Sequence, residues 1–556
     1  MSGIGNWFSV SVVTVGFLLV GLGDIQAAEH GVSAFDFVRQ HGYVQFPDYA
    51  PKPRSGDKAW DFEVGDLHDF WSWSLAQMPP QDILVPATCR AVGQHVYVFV
   101  ADDIWGSDVD QADVDAVMEA LEESTPAGSI DSTQGIVPNE YDVFGVAPDA
   151  LDSDPKVFIL LIELEQFGGT AFDGYFNAYN QYPDADTLTQ YGYHSNELEM
   201  VTVNATIRSV SSEITMGILA HEYQHLIHWG GDVNEVTWVN ESCSEAAMTL
   251  NGYLTDDAWL ADYMANTTAP LKETEHVHYG ACLLFGSYLY ERYGAAFLTT
   301  LVAEAANGDA GLQATLDAVG AGITLDELEL DWATASIADS QGAEGDRFSH
   351  PLFDLVTPAV KATVDSYPRD GLAGSLDPSG AAYVQVQKPA GAELDVLVQL
   401  NEGDVSLRAI WGQGPELDYA DFEAGGEGLR IPFSSLPEAT PSFLVIYGSA
   451  AARTTWGLSL DTVPGEEQPD AGDVDAGEED AGEEDAGEQD AGEEDAGEQD
   501  AGGQDAGEVL DGGGDTTTTD DDSGCGCAAA GASSMLWFGL LGLALLVFRR
   551  REKDIP

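Results

Sequence analysis

Residues 217–232 read "GILAHEYQHLIHWGGD" and place three histidines within eight positions, with a glutamate directly after the first. The apolar lead "ITMGILA" (214–220) and the spacing of apolar residues predict a helix over about 211–229. On a helix, residues four apart share one face, one turn from each other. His221 and His225 therefore present two imidazoles to a single metal ion. Glu222 projects beside such an ion rather than onto it. A carboxylate so placed can take a proton from water and hand it to a leaving amine.

Two ligands do not complete a site, so the third decides the class. The pattern HExxHxxGxxH would need glycine at 228 and histidine at 231, but the chain has His228 and Gly231. His228 lies beyond His225 on the same helix, and three successive turns diverge too far to meet one ion. It is expected to pack near the site or to hydrogen-bond a partner. The segment "TWVNESCSEAAM" (237–248) follows, and its Glu241 falls near the start of a new helix. Glu245 sits one turn on, where it can accept a hydrogen bond from a ligand histidine and fix its tautomer. Glu235 competes for the ligand role, but from the turn between the helices.

"AHEYQHLIHW" followed by "WVNESCSEAA" resembles the AHEFQHLIN…WLNEGLSE pattern of hyicolysin-type neutral metalloproteases, of the thermolysin-like gluzincin group. "GYFNAYNQYP", "HSNELEM" and "HYGACLLFGSYLYERYG" fit the same likeness, which spans roughly 87–294. One departure is Ser242, where a glycine usually follows the ligand glutamate. The resemblance implies Zn2+ held by His221, His225 and Glu241, with Glu222 as catalytic base and polypeptides as substrates. It also implies a donor to the oxyanion from the helical lobe, for which His278 and Tyr279 in "EHVHYGA" are the candidates. The strand "EMVTVNA" (199–205) would run at an edge beside the cleft and pair with an extended substrate. No segment resembles the GxMEN of aminopeptidases, which favours an endopeptidase.

Around the motif, apolar runs at 94–103 and 156–164 predict buried strands, and the alternation at 199–205 predicts a half-exposed one. A helix is expected over 114–124. The order strand, helix, strand, strand, helix describes a mixed sheet lobe. Beyond Trp238 the pattern turns helical, through "ACLLFGSYLYERYG" with Gly294 as C-cap, to about Gln341. From about 353 to 460, short alternating runs separated by Gly and Pro predict a β-sandwich. The expected class is therefore α+β: a gluzincin-type catalytic domain with a mixed sheet lobe and an α-helical lobe, then a β-sandwich. The expected boundaries are 29–80 for an N-terminal, propeptide-like segment, 81–345 for the metalloprotease domain and 350–463 for the sandwich.

The formal net charge of −76 over 556 residues is concentrated in one block. Between 464 and 524, Asp-Ala-Gly recurs every five residues from Asp470, with almost no apolar surface, which predicts a disordered acidic spacer. No basic patch is present to neutralise phosphates, so nucleic acid is not an expected partner. "FSVSVVTVGFLLVGLG" (8–23) followed by small residues reads as a signal peptide over 1–28. At the other end, 528–548 is long and apolar enough to span a bilayer, and Arg549, Arg550 and Arg551 follow, which orients the preceding chain outward. The tail 525–556, with "CGC", the apolar stretch and the arginines, resembles sorting tails of the Myxo-CTERM type. That resemblance implies a sorting protease as partner, processing or lipidation at Cys525 or Cys527, and display on a bacterial cell surface. Five cysteines are present, and Cys243–Cys282 is one pairing open to the three at 89, 243 and 282. The alternative to an enzyme is a surface binding or adhesion protein in which the metalloprotease-like part is structural.

Overall fold

The computed structural model describes residues 32–465, apart from 46, 48–59, 150, 153, 254–256, 273–277, 344, 346, 392, 423–425 and 450. The expected signal peptide, all but the first two residues of the acidic spacer, and the tail with Cys525, Cys527 and the 528–548 span lie outside these residues. Among the described residues no helix is long and apolar enough to cross a membrane.

The described residues begin with β1 (Val32–Ser33) and α1 (Ala34–Gln40), in a segment whose sequence pattern is irregular. A mixed α/β layer follows, built from β2 (Leu67–Ser74), β3 (Gln81–Val92), β4 (Val96–Ala101), α2 (Gln111–Glu122), α3 (Ile136–Val143), β5 (Val157–Ile162), β6 (Phe172–Phe176), α4 (Asp184–Gln190) and β7 (Met200–Asn204). With β1 these strands form one seven-stranded sheet in the order β1-β6-β7-β5-β4-β3-β2. β4, β5 and β7 are parallel neighbours, whereas β2–β3, β3–β4 and β6–β7 are antiparallel.

The expected strands at 94–103, 156–164 and 199–205 are β4, β5 and β7. β7, however, is neither half-exposed nor at an edge. It lies between β5 and β6 and is buried along its whole length. Its backbone groups are already paired on both sides, so it cannot take up an extended substrate. The alternation in "EMVTVNA" misled because its polar members, Thr202 and Asn204, are buried as well. The Asn204 amide donates to the carbonyls of Leu164 (3.3 Å) and Phe172 (2.8 Å).

Helix α5 (Glu213–Gly231) leads out of β7. Ser212 caps it by accepting from Thr215 N at 3.3 Å, and Glu213 places a negative charge in its first turn. Then come α6 (Thr237–Leu250), α7 (Asp257–Ala265), α8 (Tyr279–Tyr293), α9 (Ala295–Val302), α10 (Asp309–Val319) and α11 (Leu325–Ala338). Gly294 ends α8 at φ 74, a left-handed value suited to glycine, as its position predicts.

The last part is all β: β8 (Val360–Val364), β9 (Arg369–Leu376), β10 (Ala381–Val386), β11 (Leu394–Glu402), β12 (Ser406–Trp411), β13 (Asp418–Asp421), β14 (Leu429–Ile431), β15 (Ser442–Tyr447) and β16 (Thr454–Pro464). They form a five-stranded sheet, β13-β12-β15-β10-β8, and a four-stranded sheet, β14-β11-β16-β9. The period of two sorts the side chains of β10 into separate cores. Ala382 and Val384 join the core that includes Trp456, while Ala381 and Tyr383 join the larger core that contains the α5–α6 helices. Tyr383 Oη donates to Ala333 O of α11 at 2.8 Å, and Arg408 Nη1 donates to Asp331 Oδ1 at 2.7 Å.

Candidate metal centre

Helix α5 supplies His221, Glu222 and His225, and α6 packs on it with Asn240, Glu241, Ser244 and Glu245. All of the five carboxylate and imidazole groups in this set are at most 5% exposed. Nε2 of His221 and Nε2 of His225 are 3.1 Å apart, with the rings at 86°. Glu241 Oε2 lies 3.5 Å from His221 Nε2, and its Oε1 lies 3.8 Å from His225 Nε2. Ligand atoms of His221, His225 and Glu241 all fall within 4.8 Å of one another.

The chemistry of this donor set fits a metal ion. A tetrahedral ion with bonds of about 2.0–2.1 Å holds its ligand atoms roughly 3.3 Å apart, and the observed separations bracket that value. Burial, and then the neighbouring His225, push the His221 pKa well below the usual histidine range. Its ring is therefore the neutral, electron-donating form that metals bind. A buried carboxylate facing two imidazoles fits a cation at its centre.

Further groups stand behind each imidazole. His221 Nδ1 lies 3.2 Å from Glu245 Oε1, a close approach that does not form a hydrogen bond. His225 Nδ1 is engaged by Asn240 Oδ1 and lies 2.9 Å from Ser244 Oγ, which also donates to Gln224 Oε1 at 2.5 Å. Sequence reading missed Asn240 and Ser244. Their signal is positional: Asn240 and Ser244 are four apart on α6 and so share one helix face, and Ser244 is three residues beyond Glu241.

Glu222 is 1% exposed, and its Oε2 accepts from Phe176 N of β6 at 2.8 Å. The strand comes this close because residue 174 is glycine. A Cβ there would lie 2.8 Å from Thr202 O and 3.3 Å from Ile218 Cγ2 of α5.

The remaining candidates fall elsewhere. His228 is fully buried, outside the ligand group, with Nδ1 3.5 Å from Gln224 Nε2. Glu235 is not a ligand: its Oε1 accepts from Gly308 N at 2.8 Å and Val236 N at 2.6 Å. His278 is the N-cap residue of α8 and stands outside the ligand group, and Tyr279 packs against Trp259 with ring centroids 5.7 Å apart. Cys89, Cys243 and Cys282 are buried and not joined in a disulfide, so the Cys243–Cys282 pairing is not formed.

No family model matches the chain, and no curated protein matches it. Among solved structures, the chain is similar to a family GH115 4-O-methyl-alpha-glucuronidase with specificity for decorated arabinogalactans, at 10% identity and a TM-score of 0.12, over 58% of this chain and 54% of that one. The match spans about half the length of that protein, and a likeness this weak carries no argument about fold or function.

Proposed function

We propose that the chain is an exported, surface-anchored zinc endopeptidase. The observation that carries this reading is the convergence of His221, His225 and Glu241, with Glu222 at the adjoining helix position. Two imidazoles and one carboxylate make a donor set suited to zinc, and three protein ligands are what catalytic zinc sites use. When bound, zinc supplies Lewis acidity toward a peptide carbonyl and acidifies water.

The protein's own groups do the rest. Glu222, oriented by the Phe176 amide, accepts the proton of the attacking water and later delivers it to the leaving amine. Glu245 and Asn240 stand behind the two imidazoles, whose Nε2 atoms turn inward. His278 or Tyr279, at the start of α8, is proposed as the donor that meets the developing oxyanion. Export, the acidic spacer and a membrane-bound tail processed at Cys525 or Cys527 belong to the same reading and rest on the sequence of both ends.

The test is direct. Purified protein should cleave casein, and a zinc chelator should stop it. Glu222→Gln should abolish turnover while metal content stays at one ion per chain. A Glu222→Gln variant as active as the parent would remove the enzyme, and leave a surface binding protein.

A further inference from the structure

A small cavity adjoins the metal centre, and a side chain from far away in the sequence enters it. His225 and Asn240 border it, as do the rings of Phe176 and Trp229. Asp232 and Glu235, from the turn after α5, complete the lining together with Arg39 of α1. Arg39 Nη2 donates to the main-chain oxygen of Glu235 at 3.2 Å. Asp232 is only 6% exposed. Its Oδ1 accepts from Asn234 N at 3.2 Å, but its Oδ2 is buried and makes no hydrogen bond.

Aromatic rings around a channel suit the apolar stem of arginine or lysine. A buried carboxylate oxygen with capacity to spare, next to a carbonyl acceptor, suits the cationic head. His225 lies in the same lining, beside the Asn240 that engages its Nδ1, so the cavity borders the outer face of one residue of the candidate metal centre.

We propose that this cavity is a specificity pocket that takes a basic side chain of the polypeptide substrate, and that Arg39 holds that place until substrate enters. The proposal rests on the peptidase reading above. Asp232 and the Glu235 carbonyl select the cation, while Phe176 and Trp229 hold its stem. A peptide with arginine at the matching position displaces Arg39 and exchanges one guanidinium for another.

The experiment has a binding arm and a cleavage arm, both on the full chain. In the first, Nα-acetylargininamide is titrated into the Arg39→Ala variant by calorimetry. Binding is expected, about tenfold weaker in Arg39→Ala/Asp232→Asn, and absent for the norleucine amide. Equal binding by both variants, or equal binding of the norleucine amide, would overturn the pocket. In the second, the parent protein is profiled on a peptide library. A basic residue is expected to be enriched at one subsite, and Asp232→Asn should lower the ratio of kcat/KM for arginine over norleucine peptides by about tenfold. Cleavage without basic preference would overturn the pocket and leave the peptidase standing. Argininamide binding through Asp232 with no Glu222-dependent hydrolysis would remove the peptidase instead.

Discussion

Glu245 stands one helical turn beyond Glu241, and its Oε1 lies 3.2 Å from Nδ1 of His221. The two glutamates of α6 thus face the same imidazole from opposite nitrogens, one on the Nε2 side and one behind it. Removing the rear contact frees the ring to rotate. Glu245→Gln should weaken zinc binding by roughly 10–100-fold, measured by competition with a fluorescent chelator. Affinity equal to the parent's would show that α6 packing alone orients His221.

His228 makes stability depend on pH. An unfolded histidine titrates near 6.5, whereas burial, then His225 and Arg39, push the folded one down to about 3. Between those values the unfolded chain binds a proton that the folded chain does not. The stabilisation is therefore fully present above about pH 6.5 and is lost progressively as pH falls toward 3. In urea unfolding of metal-free protein at pH 7, 5 and 4, His228→Gln should lose less stability on acidification than the parent. An identical acid slope in both proteins would exclude His228 as the titrating group.

Gly286 sets how closely α8 approaches α6. A Cβ there would lie 1.8 Å from the main-chain oxygen of Ser242, the residue after the ligand Glu241. Gly286→Ala must push the helices apart, with a loss of about 1–3 kcal/mol. The same displacement moves Glu241, so zinc occupancy should fall along with the melting temperature. A lower melting temperature with full occupancy would mean that α6 shifts as a unit with α5.

Asp331 is the meeting point of three arginines. Arg408 approaches at 2.7 Å, Arg347 at 2.8 Å and Arg292 at 3.6 Å, and Asp331 and Arg408 are each 1% exposed. Asp331→Ala leaves Arg408 buried without this partner, which should cost about 3–5 kcal/mol in denaturant unfolding. A loss under 1 kcal/mol would mean that Asp421, at Arg408 Nε, neutralises it alone.

The sequence spoke most clearly where one periodic element carries the chemistry. His221, Glu222 and His225 share one helix, and that helix lies where its apolar period puts it. Glu241 needed two helices to be read together, and the structure brings it to the imidazoles. Asn240 and Ser244 escaped because their role depends on how α6 rotates against α5, which no local pattern encodes. β6, "FDGYF", was invisible for a related reason: its Gly174 reads as a breaker, yet only glycine allows the strand to lie this close to Thr202 and Ile218. β3 runs through Pro86 with Ile83 and Leu84 exposed, so neither its composition nor its alternation announces a strand. In the sandwich, β10, β12 and β15 stand out because they are apolar and buried along almost their whole length, whereas β8, β9 and β13 give a weak pattern because they are largely solvent-facing.

The division of β10 between two cores has a practical consequence for making this protein in pieces. A fragment cut near residue 345 would strip Tyr383, Ile410, Phe443, Val445 and Tyr447 from the interior they share with helices α5 and α6. Glu329 would lose the phenol of Tyr447, which donates to it at 3.0 Å. Trimmed expression clones that end there should be insoluble, and screening should start from boundaries that keep the chain through Pro464.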